Sequence, residues 1–168
     1  MSEMLDGDSL LKNKRGQTLK VMCILSWIWI GLMTVSLLAG LVGGPLTAEE
    51  LEIEKVKVLE QITPEVIEML GPEFVEENIM ILEKSNELFY TISGLSLANF
   101  VLGFYGVYLM YNLKKKGFYY YLIYSVVPII SSLAFFGTGL MMTLGAVFLA
   151  FFSLIFCLIY GFQLKRMS

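Results

Sequence analysis

The chain is 168 residues long, 57% hydrophobic and 16% charged, with a formal net charge of −3. An ordinary soluble domain is roughly 45–50% apolar and about 25% charged; one soluble core of this size cannot hide the excess, so lipid must solvate part of it. The same figures exclude disordered, collagenous and disulfide-rich secreted classes, and the absence of histidine removes the commonest general base and the commonest metal ligand.

Residues 1–20 form a basic N-terminal segment containing Lys12, Lys14, Arg15 and Lys20. The first apolar run, 21–42, holds 22 residues without a charge, and about 20 suffice to cross the hydrocarbon. It is longer than the roughly 7–15-residue core of a cleavable signal peptide, so it reads as a first span. Gly43, Gly44 and Pro45 end it. Cys23 lies in this run and Cys157 in the last; with no CxxC spacing, each reads as a small apolar filler.

An acidic segment, 43–87, follows. From Thr47 to Phe89 there are twelve acids against three bases, a balance of −9, while the rest of the chain carries nine bases and three acids. Thr47 and Glu50 match a capping box that opens a helix. Leu51, Ile53, Val56, Leu59 and Ile62 form an apolar stripe at helical spacing, expected to pack on the next long helix. Pro64 suits the first position of a second short helix, and Gly71-Pro72 breaks it. From about residue 72, Val75, Ile79, Leu82, Asn86 and Phe89 hold one helical face and run into the second span, 88–113, without a breaker. That span is therefore expected to protrude by several turns as part of a small helical cap. The acids are irregularly spaced and contain no calcium-loop pattern.

Residues 118–163 carry no charge, too long a stretch for one crossing. The Phe136-Gly137-Thr138-Gly139 sequence is the best reversal and divides it into spans 118–136 and 140–163, with 164–168 as a C-terminal tail. Lysine and arginine gather at three places: before the first span, at Lys114, Lys115 and Lys116, and at Lys165 and Arg166. Four crossings bring all three clusters to one face, which the positive-inside rule assigns to the cytoplasm. The N- and C-termini are then inside and the acidic segment outside. Tyr119 and Tyr120, among the many aromatics flanking the triple lysine, suit an interfacial belt; with Lys114–Lys116 they are candidate lipid-headgroup contacts, and this placement makes a nucleic-acid surface unnecessary. Spans in lipid must satisfy their own backbone, so they are helices.

No Asp, Glu, Lys, Arg or His lies inside a span, which disfavours a proton relay or ion path. No nucleophile elbow, zinc-protease, phosphate-loop or dinucleotide pattern is present. No catalytic residue, cofactor or metal ligand is expected. What the spans hold is packing chemistry: Ser36, Gly40 and Gly44, Gly94 and Ala98, and Gly103 and Gly106 are small residues at spacings that let helices approach closely in lipid. Ser93, Ser96 and Asn99 give the second span its most polar stretch, and Pro128 is expected to kink the third. Together these four mark a candidate polar cavity.

The stretch LKKKGFY at 113–119 resembles that of small, uncharacterised four-helix bacterial membrane proteins, which place a similar lysine–glycine–aromatic turn between spans two and three. The resemblance implies a bacterial cytoplasmic membrane and carries over no activity or binding residue. The expectation is an all-α integral membrane protein, a four-transmembrane-helix bundle with a small acidic helical cap between helices 1 and 2. A non-enzymatic accessory or assembly role follows, with the bilayer and another membrane protein, or a second copy, as partners. The alternative is a lipid or small-molecule binding protein or uncoupled channel with a cavity near Asn99 and Pro128.

Overall fold

The computed structural model describes residues 16–164 and Met167. Lys12, Lys14, Arg15, Lys165 and Arg166, which carry two of the three basic clusters, lie outside the described residues. Among those described there are seven helices and no strand: α1 (Gln17–Gly43), α2 (Ala48–Gln61), α3 (Pro64–Leu70), α4 (Glu73–Glu87), α5 (Phe89–Tyr111), α6 (Lys116–Phe136) and α7 (Leu140–Gln163). Four of them, α1, α5, α6 and α7, are long and apolar enough to cross a membrane.

Local chemistry explains the helix limits. α1 stops where Gly44 takes a positive φ of 74° and its N–H closes on the Gly40 carbonyl, a geometry that suits a residue without Cβ. α2 starts on a complete capping box: the Glu50 N–H donates to Thr47 Oγ1 at 3.3 Å, and Thr47 N–H donates back to the Glu50 carboxylate at 2.9 Å. These bonds favour the carboxylate and hold Glu50 below its ordinary range, the Thr47 backbone amide being the main cause. Pro64 occupies the first turn of α3, where its missing N–H is no loss.

α4 and α5 are not the single rod expected. Leu88, at φ −94° and ψ 15°, steps out of helical geometry for one residue, although Leu88 N–H still reaches Lys84 and Ile92 N–H reaches Leu88. The step comes two residues after Asn86, whose side-chain amide clamps both the N–H and the carbonyl of Leu46, at 2.7 and 3.0 Å. α2 also turns a different face toward its neighbours than its apolar stripe predicts. Ile53, Val56 and Leu59 of the expected stripe are exposed. The more covered row is Leu51, Lys55, Val58 and Ile62. Lys55 explains the rotation: its ammonium bridges Glu52 and Glu83 at 2.7 Å each, so an ion pair to α4 claims the row that hydrophobicity alone gives to Ile53, Val56 and Leu59. Those two carboxylates raise the lysine's pKa.

The long helices pack in chain order, α1 on α5, α5 on α6 and α6 on α7. Their shared core sits at the end near the Lys114–Lys116 turn. Leu19, Cys23, Val107, Met110, Tyr121 and Tyr160 are central to it. A buried 2.9 Å hydrogen bond between the Ser26 and Tyr160 hydroxyls joins α1 to α7, and the Tyr160 ring meets Tyr121 edge-on at 4.9 Å. α5 and α6 touch backbone to backbone here. A Cβ built on Gly106 would lie 2.9 Å from the Tyr121 amide nitrogen, and one on Gly117 would lie 2.5 Å from the Gly106 carbonyl oxygen. Gly117 is thus a packing residue in the first turn of α6, not the closing glycine of the turn. The reversal falls instead on Leu113, at φ 60°. Its N–H bonds Met110 and that of Lys114 bonds Leu109, both at 2.9 Å, the paired closure of a Schellman motif. Leucine is costly in this conformation; here its side chain is buried in the core.

At the opposite, acidic end α1 leaves the buried core. No α1 residue from Gly31 onward is buried.

Gly106→Ala is expected to destabilise the fold by about 1–3 kcal/mol, because the clash is with backbone that cannot rotate away. Gly40→Ala, with nothing within 4 Å of the new methyl, is expected to be neutral or to stabilise by up to about 1 kcal/mol through helix propensity. Reversible unfolding in mixed micelles, followed by circular dichroism, distinguishes the two.

Candidate functional site

Where α5 and α6 separate, a cleft of about 240 Å³ opens between them toward the acidic end. α5 contributes Ser96 and Asn99 among apolar neighbours. α6 contributes Pro128, Ser131 and Ser132, with Phe135 and Phe136 at its far end.

Its polar geometry follows from one missing proton. Inside an α-helix the carbonyl of residue 124 accepts from the N–H of residue 128. Residue 128 is proline and has no N–H, so the Tyr124 carbonyl is orphaned within an apolar wall, where an unpaired group costs about 1–3 kcal/mol. Asn99 repairs the defect from the neighbouring helix: its Nδ2 donates to Tyr124 O at 3.1 Å. This bond fixes the amide's orientation, since a carbonyl only accepts. The other half of the amide, Oδ1, is then buried with no protein partner among the described residues. Asn99 is 6% exposed.

The serines divide by role. Ser131 Oγ donates to the Val127 carbonyl at 2.8 Å and Ser132 Oγ to Ile129 at 2.9 Å, so both protons are committed to their own helix. Ser96 lines the cleft three residues before Asn99, on the same helical face, and its hydroxyl has no partner among the described residues. Ser93 is buried but does not line the cleft.

The small-residue pairs part company in the same way. Gly103 and Gly106 are buried against α6, Gly103 beneath the Tyr124 ring. Ser36, Gly40, Gly94 and Ala98 are exposed and Gly44 is half-buried; no atom lies within 4 Å of a Cβ at Gly40, Gly44 or Gly94. Lys114, Lys115, Lys116 and Tyr119 are exposed and Tyr120 half-exposed, with Tyr120 packed edge-on against Tyr105 at 5.4 Å. No cluster of three His, Cys, Asp or Glu side chains able to hold a metal exists among the described residues, and the two cysteines are not joined in a disulfide.

Two charged residues above the cleft escaped the sequence reading. Glu77 of α4 accepts from the N–H groups of Met141 and Met142 at 3.1 and 3.2 Å, which caps α7. Gly139, at the Ncap position, has no side chain to do this, and a Cβ there would collide with the carboxylate. Lys84, seven residues on, donates to the Phe135 carbonyl at 3.5 Å, in the last turn of α6. An anion at a helix N-terminus and a cation at a C-terminus both oppose the local dipole charge. The signal in the sequence was an uncapped helix start at Gly139 and an opposite-charge pair two helical turns apart on α4.

Glu77→Ala is expected to destabilise the α6–α7 end by about 0.5–2 kcal/mol. Hydrogen exchange should quicken at Met141 and Met142 while the core amides near Tyr121 hold their protection. Among known protein families, characterised proteins and solved structures, none matches this chain.

Proposed function

We propose that the chain is a non-enzymatic accessory or assembly protein of a membrane, a four-helix transmembrane bundle that holds a partner helix against the acidic-end half of α1. The observation that carries this reading is the state of that half-helix. From Gly31 to Gly43 no residue is buried, and Ser36 and Gly40 form an exposed strip that no other helix among the described residues covers. Hydrophobic burial gives little drive for association between helices in lipid, so contact depends on close packing along such strips. The exposed row Ile53, Val56 and Leu59 on α2 supplies an apolar contact for the same partner outside the bilayer.

In this reading both termini face the cytoplasm of a bacterial cell, with Lys114–Lys116 at anionic headgroups and Tyr119 and Tyr120 in the interfacial belt. The partner is another membrane protein or a second copy of the chain; no cofactor, metal or nucleic acid takes part. The α5–α6 cleft favours a second reading, a protein that binds a lipid or small molecule near Asn99 and Pro128, or an uncoupled channel.

Two measurements test the main reading. In sealed right-side-out vesicles, a cysteine at Glu60 is expected to react with an impermeant maleimide and one at Lys115 only after lysis; equal reactivity would overturn the topology. A photo-crosslinker at Ala39 is expected to capture one stoichiometric partner, lost in Gly40→Leu, whereas a crosslinker at Leu149 on α7 captures none. Capture of lipid alone at Ala39 would sink the assembly role.

A further inference from the structure

We propose that the α5–α6 cleft binds an uncharged hydrophobic alcohol, whose hydroxyl donates to Asn99 Oδ1 and accepts from Ser96 Oγ. The inference rests on the second, ligand-binding reading and names the chemistry of its ligand.

Four observations converge. Asn99 Oδ1 is a buried acceptor without a partner, and its identity as oxygen follows from the amide's bond to Tyr124 O. Ser96, one turn earlier on the same wall, has its hydroxyl unused among the described residues, while those of Ser131 and Ser132 are spent on their own helix. One acceptor and one donor a single turn apart are the complement of a hydroxyl group, which both donates and accepts. No charged residue lines the cleft, so an anionic or cationic headgroup would enter without a counter-charge and lose its hydration for nothing. The remaining walls are mostly apolar, from Ile92 and Leu95 to Phe135 and Phe136.

Size points the same way. A cleft of about 240 Å³ has room for several waters. Water alone is a poor occupant, because each molecule needs two to four polar partners and the unpartnered polar side chains lining the cleft are only Ser96 and Asn99 among the described residues. A compact alcohol, or the hydroxyl-bearing end of a longer chain that leaves between the helices, fills the apolar remainder while meeting both polar atoms.

The test uses the full chain in phosphatidylcholine nanodiscs with a diazirine-bearing octanol, the labelled residues being mapped by mass spectrometry. Labelling is expected within 92–100 and 127–136, and 1-octanol should compete at about tenfold lower concentration than octane, the factor expected of one hydrogen bond. Ser96→Ala, which leaves the Asn99–Tyr124 bond intact, should reduce that preference several-fold. Asn99→Leu combined with Pro128→Ala should abolish it without unfolding the protein, because residue 128 then supplies the N–H that Tyr124 O requires; unchanged circular dichroism and melting behaviour check the fold. Equal competition by octanol and octane with labelling still in the cleft would overturn the alcohol and leave the ligand-binding reading standing. Labelling elsewhere would overturn both. A preference that survives in the double variant would remove Asn99 from the site.

Discussion

The contact between Gly106 and Gly117 governs the shape of the molecule. Two helices whose backbones touch must carry no Cβ at the crossing, and here both partners are glycine. The contact lies one short turn from the α5–α6 connection, so the hairpin is drawn together at its lysine end. Leu113 accepts a left-handed conformation there, and its buried side chain helps hold the turn. Tyr121 and Tyr160 fill the space beside the crossing, and the Ser26–Tyr160 bond ties the first helix to the last. Close approach at one end leaves separation at the other, and the cleft is that separation.

Pro128 and Asn99 make the separation chemically distinctive. A proline in mid-helix releases one carbonyl among apolar side chains. Asn99 answers it from across the helix pair and is left with an oxygen of its own to satisfy. A defect in one helix thereby leaves a buried, unpartnered oxygen on a residue that lines the cleft. The acidic segment completes the enclosure: α4 uses a glutamate at the start of α7 and a lysine at the end of α6, and Asn86 and Lys55 hold the loop and α2 against it. Its charge is therefore more than a solvated face, although most of its twelve acids make no such contact.

Much of this was legible in the residues. The uncharged runs mark four long apolar helices, because helix length and hydrophobicity are local sums. The Thr47–Glu50 box and the Gly137–Gly139 reversal are also local, and both stand where the spacing puts them. The α2 stripe is not the covered face because Lys55 counts as polar in any pattern, yet its ion pair turns it toward α4. The small residues gave a set of equals, Ser36, Gly40, Gly44, Gly94, Ala98, Gly103 and Gly106; only two of them meet another helix closely. Asn99 and Pro128 stood out individually, but nothing in their spacing of twenty-nine residues pairs the amide of one with the carbonyl that the other frees.

The sequence by itself determined the inventory: an all-helical chain, four apolar rods, an acidic connection and the ends of most helices. These depend on free energies that each segment carries alone, chiefly the solvation of side chains and the satisfaction of nearby backbone groups. The tertiary structure decided which faces meet, that Gly117 packs and Leu113 turns, that Glu77 caps a helix more than sixty residues away, and that Asn99 keeps a buried oxygen without a partner among the described residues. Those outcomes belong to pairs of surfaces, and no segment read alone contains the shape of its neighbour.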